Sequence, residues 1–239
     1  MGLPSVIIVI PTYNERENLP ELIKQLARLK LANWQALIID DNSPDGTGAL
    51  AEEFSQQYPL TVIHRQSKMG LGTAYRVGFT AALARKPDII VQMDADLSHE
   101  PKVIPQMIEQ LKYYDIVIGS RYVPGGGISN WSWSRRAISK YANLFVRWLL
   151  RSKVHDLTAG FKAFSRSALQ RIPMERMSSV GYNFQVEVTV TSERLGLSIA
   201  EVPIIFTERR KGKSKFDIKI IMESALRVFL LALRDVFKH

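Results

Sequence analysis

The sequence predicts a single α/β domain built on a mostly parallel central sheet with helices on both faces. Three observations predict it. Short apolar runs rich in Val and Ile alternate with segments of helical periodicity through the first half of the chain. These runs are apolar at consecutive positions, as strands covered on both faces must be. No internal repeat, low-complexity segment or linker divides the 239 residues, of which 46% are hydrophobic, enough for one real core.

The elements follow in order. Val6–Ile10 is the first strand, and Leu19, Leu22, Ile23, Leu26 and Leu29 recur at helical spacing after it. Ala36–Ile39 is the second strand, followed by a helix around 49–57 and a strand at Leu60–Ile63. Thr73–Ala84 reads as a helix, Ile89–Val91 as a strand, Val103–Leu111 as a helix and Ile116–Ile118 as a strand. Beyond Gly119 the alternation breaks. Val123–Ser134, rich in Gly, Pro, Ser and Trp, reads as a loop, and a helix spans Arg135–Leu150. A strand at Phe161–Phe164, a helix at Phe184–Leu195 and a strand at Ile199–Phe206 come next, with Pro203 marking an edge or a bulge. Thr207–Lys215 is a basic loop, and an amphipathic, mostly apolar helix closes the chain at Ile218–Phe237.

In an open parallel sheet, ligands bind beyond the carboxyl ends of the strands. Pro11-Thr12-Tyr13-Asn14-Glu15 follows the first strand, and Asp40-Asp41-Asn42-Ser43-Pro44-Asp45-Gly46 the second. Asp94-Ala95-Asp96 follows the fourth and Arg121 the fifth. Four strand ends meet on one rim, and three of them are acidic. Crowded carboxylates repel unless a cation neutralises them. Asp94 and Asp96, on a turn expected to face solvent, suit a hard divalent ion such as Mg²⁺ or Mn²⁺, which would also hold a diphosphate. Singly, the rim residues have blander readings: helix caps for the Asp94 and Asp96 pair, a first-turn acid for Glu15, a plain turn for Asp45-Gly46. Gly70-Leu71-Gly72 lacks a full nucleotide fingerprint and reads as a close backbone approach at a helix N-terminus. His64, His99, His155 and His239 have no metal spacing and read as surface or locally bonded residues.

Composition narrows the classes. With no cysteine, thiolate metal sites, disulfides and cysteine nucleophiles are excluded. The net charge of +9 points to an anionic partner. The start of the chain reads as neither a secretory leader nor a myristoylation signal, since Val6 stands where that signal needs Ser or Thr. No apolar run approaches the roughly 20 residues of a membrane span.

Taken together, the motifs are specific. Pro11-Thr12-Tyr13-Asn14-Glu15, Asp40-Asp41 with Pro44-Asp45-Gly46-Thr47, Gly70-Leu71-Gly72-Thr73-Ala74 and Asp94-Ala95-Asp96-Leu97-Ser98 resemble dolichol-phosphate mannosyltransferases of glycosyltransferase family 2. The resemblance continues through Gly119-Ser120-Arg121-Tyr122, Asp156-Leu157-Thr158, Phe184-Gln185-Val186-Glu187 and Gly212-Lys213-Ser214-Lys215. It covers nearly the whole chain, and the late motifs discriminate best. The resemblance implies a GT-A (Rossmann-like) domain, with a nucleotide-sugar and metal-binding half at 1–122 and an acceptor-binding half at 123–239. It implies that Pro11, Tyr13, Glu15, Ile39 and Asp41 line the base and ribose pocket. Asp94, Ala95 and Asp96 would face the diphosphate, the two aspartates holding metal. Ser98 stands where some members carry Gln as a further metal ligand. Arg121, Arg135, Ser139, Arg209 and Lys215 would contact phosphates of acceptor or donor, with Asp96, Arg121, Arg209 and Lys215 the catalytic set.

The reaction this resemblance implies is inverting transfer of mannose from GDP-mannose to a polyprenyl (dolichyl) monophosphate, giving GDP. A phosphate monoester has a second pKa of about 6 and needs no general base. UDP-glucose is the alternative donor. A nucleic-acid-binding module is disfavoured, because an acidic rim repels phosphate and no RNA-stacking motif appears. The lipid acceptor implies a peripheral enzyme on the cytoplasmic face of a membrane, alone or with small anchoring subunits. In the helix from Arg135, residues Arg136, Lys140, Asn143, Arg147 and Arg151 share one face, and Ile138, Tyr141, Phe145, Trp148 and Leu149 another. Such a helix suits an anionic lipid interface, with Trp131 and Trp133 as anchors, or else packs on the domain with a solvated basic face.

Overall fold

The computed structural model describes residues 3–177, 179 and 181–208. The expected closing helix, Arg209 and Lys215 lie outside the described residues.

Strands β1 (Ser5–Thr12), β2 (Asn33–Asp40), β3 (Leu60–His64), β4 (Ile89–Gln92) and β5 (Ile116–Ser120) alternate with α1 (Leu19–Arg28), α2 (Thr47–Ser55), α3 (Leu71–Ala84) and α4 (Ile104–Gln110). Each strand is the β-branched apolar run expected of it. Alternate residues feed opposite faces of the sheet, as the pleat requires. Ile7 and Val9 of β1 join Leu37 and Ile39 of β2 in a core with Tyr75 and Phe79 of α3. Val6, Ile8 and Ile10 instead meet Leu19, Leu22, Ile23 and Leu26 of α1. With both faces covered, β1, β2 and β4 are buried over most of their length.

The second half holds β6 (Gly127–Ser129), α5 (Trp133–Leu150), β7 (Lys162–Ser165), α6 (Arg166–Arg171), α7 (Tyr182–Arg194), β8 (Ile199–Pro203) and β9 (Ile205–Thr207). The main sheet runs β3-β2-β1-β4-β7-β5-β8. Only β7 is antiparallel to its neighbours. Strand order reverses at β1, which pairs β2 on one side and β4 on the other. In open α/β sheets such a reversal is where ligands bind, outside the strand carboxyl ends.

Three expectations change. The loop at 123–134 contains β6, and α5 starts two residues early because the Ser132 side chain accepts from Arg135 N and caps the helix. The strand expected over Ile199–Phe206 is two strands in different sheets. Pro203 has no N–H to continue the edge ladder, and the chain leaves β5 at Ile204 to pair β9 with β6. The helix α6 is new, capped by Ser165, whose hydroxyl accepts from Ala168 N at 3.1 Å. At the N-terminus of α3 the close approach read from Gly72 is present: a Cβ there would sit 2.8 Å from Ser179 O.

Candidate active site

The ends of β1, β2, β4 and β5 form one rim, as expected. The carboxylates on it are engaged in different ways. Asp40 accepts from Thr12 Oγ1 at 2.9 Å and from Ser43 N and Oγ at 3.0 and 2.6 Å, which fixes the turn after β2. Asp45 accepts from Thr47 N and Oγ1 at the start of α2, so its plain turn reading holds. Glu15 accepts from Asn18 Nδ2 at 2.7 Å, in the turn that leads into α1. Asp41 pairs with Arg65 at 2.6 Å, and both side chains are buried. Burial pushes the Asp41 carboxyl up, and Arg65 opposes this. Tyr13 lies under Lys68, whose Nζ is 3.8 Å from the ring centre. Pro11 and Tyr13 are half-buried, whereas the Ile39 side chain lies wholly in the core and cannot line a pocket.

The turn after β4 is more tightly built than the sequence suggests. Asp96 is only 4% exposed, against the expected solvent-facing position. The reason is local. Leu97 adopts φ +61°, which folds Ser98 back so that its N and Oγ both donate to Asp96 Oδ1, at 3.1 and 2.5 Å. Asp94 Oδ1 accepts from Tyr75 O–H at 2.8 Å. Burial, with Asp94 next in order, pushes the Tyr75 phenol well above its usual range, so it stays a donor. Beside Asp94 Oδ2 lies Gly160, where a Cβ would intrude to 3.1 Å. Asp94 thus offers a carboxylate oxygen next to a space kept open by glycine, with Asp96 two residues on, and such hard donors fit Mg²⁺ or Mn²⁺. Among the described residues no group of three or more His, Cys, Asp and Glu could hold a metal by itself. An ion here would need substrate oxygens or water as well.

Arg121, at the end of β5, is clasped by Asp156. Its Nε and Nη2 donate to the two carboxylate oxygens at 2.7 Å each, and Nη2 also reaches Thr158 Oγ1 at 2.7 Å. Burial works to raise the Asp156 carboxyl, but the Arg121 guanidinium outweighs it and holds the carboxyl below its usual value. Arg121 also lies 5.5 Å from the Phe206 ring. Ser139 shares a hydrogen bond with Tyr122 O–H at 2.8 Å. Arg135 stacks on Trp131 at 3.9 Å and forms an ion pair with Glu208, while Trp131 meets Phe206 edge-on at 5.8 Å. The structure therefore gathers Arg121, Arg135 and Trp131 around Phe206. Trp131 turns inward to do this and is not an outward anchor.

Three residues the sequence reading missed belong to this site. His99 is buried below the Asp94 turn, stacked on Phe161 at 5.2 Å and edge-on to Phe206 at 5.8 Å. Its Nδ1 accepts from Asp94 N at 3.4 Å, and burial lowers its pKa, consistent with a neutral ring. His64 and His155, by contrast, are exposed and bond to Glu52 and Glu201, as expected of surface residues. Arg65 was missed because it follows an unremarkable short strand. Lys162 is wholly buried and donates to Ala159 O and to Gln185 Oε1 at 2.7 Å. Burial pushes its pKa down to about 7, against the pull of Asp156 and Asp94. Its cue in the sequence is a lysine directly following an apolar strand start.

On α5 one residue departs from expectation, and the exposed aromatics match the interfacial alternative rather than the packed one. Asn143, placed on the basic face, is buried and binds His155 O and Leu157 N. Trp133, Tyr141, Phe145 and Trp148 are exposed instead, Trp133 by 83% and Trp148 by 74%. No helix among the described residues is long and apolar enough to cross a membrane.

Comparison with known proteins places this geometry. Residues 7–173 match the glycosyl transferase family 2 model. The polyprenol monophosphomannose synthase of Mycolicibacterium smegmatis is 44% identical over 225 residues, covering 93% of this chain and 84% of that protein. The undecaprenyl-phosphate mannosyltransferase of Micrococcus luteus is 43% identical over 224 residues, covering 93% and 92%. Among solved structures, Mycobacterium tuberculosis glucosyl-3-phosphoglycerate synthase, in complex with Mn²⁺, UDP-glucose and phosphoglyceric acid, superposes with a TM-score of 0.70 at 20% identity, covering 96% of this chain and 79% of that one. The fold is thus of the GT-A type. The chain belongs to glycosyl transferase family 2 and is a glycosyltransferase.

Proposed function

We propose that this enzyme transfers mannose from GDP-mannose to a polyprenyl monophosphate, yielding the polyprenyl phosphate mannose and GDP. The observation that carries the reading is the pairing, on one rim, of an acidic turn at Asp94 and Asp96 with a cationic, aromatic-walled cluster at Arg121 and Arg135. The first suits a diphosphate held through a cation, and the second suits a second phosphate. Two relatives of more than 40% identity carry names that pair mannose with a polyprenyl phosphate. The division of labour follows the chain: residues 1–122 hold nucleotide and metal, and 123–239 hold the acceptor.

Pro11, Tyr13, Glu15 and Asp41 lie where a base and ribose would sit, and Ala95 offers only backbone to the diphosphate. Asp94 and Asp96 would hold Mg²⁺ or Mn²⁺, with Ser98 securing Asp96 rather than facing an ion. Such an ion offsets negative charge on the departing diphosphate. Arg121 and Arg135, with Ser139 nearby, hold the acceptor phosphate, and Asp156 fixes the Arg121 fork. Arg209 and Lys215, outside the described residues, complete the cationic set. No side chain needs to remove a proton from a phosphate dianion, so displacement is direct.

The exposed aromatic face of α5, flanked by Arg136 and Lys140, docks the enzyme peripherally on the cytoplasmic face of an anionic membrane, alone or beside small anchoring subunits. One assay tests donor, acceptor and docking together. Labelled GDP-mannose or UDP-glucose is supplied with polyprenyl phosphate in anionic vesicles, with and without Mn²⁺. Mannose transfer should dominate, and Trp133→Ala with Trp148→Ala should cut transfer from vesicles several-fold while leaving GDP binding intact. Preferential glucose transfer would overturn the donor, and full activity of the double variant on vesicles would overturn the docking face.

A further inference from the structure

The ion pair between Arg135 and Glu208 joins two parts of the acceptor side. Arg135 lies in the first turn of α5, and Glu208 directly follows β9. Their side chains are 21% and 33% exposed, so solvent screens the pair only in part. Three further contacts hold the geometry. The guanidinium is stacked on Trp131. Trp131 packs against Phe206, two residues before Glu208. Thr207 N donates to Ser98 O at 3.2 Å, tying this segment to the Asp94 turn. Glu208 thus sets a carboxylate against an arginine that the proposed function assigns to the acceptor phosphate.

Two anions competing for one guanidinium are ranked by charge and by proximity. The acceptor phosphate enters as a dianion near pH 7, since its second pKa is about 6. Its pull on a cation is about twice that of a carboxylate at equal distance. In the reaction an oxygen lone pair of that phosphate bonds to the anomeric carbon as the bond to the donor diphosphate breaks. The breaking pair leaves with the nucleotide, and no proton moves. The acceptor phosphate falls from two negative charges to one, and the leaving nucleotide gains one. A diester monoanion has no charge advantage over Glu208, and the carboxylate is tethered at high effective concentration.

We propose that Glu208 is a positioning and specificity residue that yields Arg135 to a phosphate monoester and recaptures it from the diester product. This makes the site favour acceptor over product, which otherwise share the same polyprenyl chain. The inference rests on the reading of the acceptor as a polyprenyl phosphate.

The test uses the full chain with polyprenyl phosphate and purified polyprenyl phosphate mannose. Glu208→Gln keeps the shape and removes the competing charge. The acceptor KM and the product inhibition constant should both fall, the latter more, by about 5-fold for a partly exposed pair. The donor KM should not move, a split that a merely structural loss would not give. Should Glu208→Gln not fold, Glu208→Asp carries the same reading, since the shorter arm weakens recapture and lowers both constants by a smaller factor. A product inhibition constant that is unchanged or raised in the folded variant, with wild-type transfer intact, overturns the inference alone. Wild-type protein that makes no polyprenyl phosphate sugar overturns the underlying function as well.

Discussion

Asp96→Asn should lower kcat by about three orders of magnitude, equivalent to about 4 kcal/mol of transition-state stabilisation. The substitution is chosen for what it leaves in place. Asp96 Oδ1 accepts from both Ser98 N and Ser98 Oγ, and an asparagine oxygen can keep both bonds. What disappears is the negative charge that would face the proposed cation. Asp96→Ala would remove the charge and the turn's acceptor together. Because the residue is buried, that variant should lose about 1 kcal/mol of stability or more besides its activity. Chelation of the wild type by EDTA should reproduce the Asp96→Asn loss, and added Mn²⁺ should restore only the wild type. Near-normal turnover by Asp96→Asn, or indifference of the wild type to EDTA, would remove the metal from the account.

The second large effect is expected at Asp156, which lies under Arg121 and is fully buried. Breaking one side of a buried, hydrogen-bonded ion pair costs about 3–5 kcal/mol. Asp156→Ala should therefore lower unfolding stability by about that much, and should cut the transfer rate about 100-fold by freeing the Arg121 fork from its fixed orientation. The pH dependence has a definite sign. The Asp156 carboxyl is held below its unfolded value, chiefly by Arg121 against the effect of burial. Its contribution is therefore fully present above the unfolded pKa near 4 and is lost as pH falls through the folded value. Urea unfolding of the wild type should weaken below about pH 4, and the variant should show a flatter acid limb. Identical acid limbs for the two proteins would mean that the pair contributes nothing to stability.

Much of the fold was legible because the signals were local. The consecutive apolar runs at Val6–Ile10, Ala36–Ile39 and Ile116–Ile118 read as strands covered on both faces, and the charged turns after them, acidic after the first two and basic after the third, marked the rim. What the sequence hid were the consequences of tertiary contact. Nothing local says that the Ile199–Phe206 run would change sheets at Ile204, or that three residues at Gly127 would pair with its second half. The inward face of α5 turned on Asn143, whose amide is consumed by the backbone of residues 155 and 157. Charge on a helical wheel cannot reveal that. Asp94, Asp96 and Arg121 were readable by type and position, and Arg135 through the family resemblance, but their supports were not. Tyr75 and Asp156 come from distant segments and meet the rim only through packing, and His99, five residues after Asp94, reaches it only because the chain folds back.

The central claim is direct transfer of the sugar onto a lipid phosphate, and the configuration of the product tests it most directly. In the proposed reaction a phosphate dianion held by Arg121 and Arg135 attacks the anomeric carbon opposite the departing diphosphate, and a single displacement inverts that centre. Product formed from the α-linked donor GDP-mannose and polyprenyl phosphate should be isolated and its anomeric carbon–hydrogen coupling measured by NMR. A β-linked mannosyl phosphodiester is the predicted result. An α-linked phosphodiester, or free mannose with no lipid product, would contradict the account.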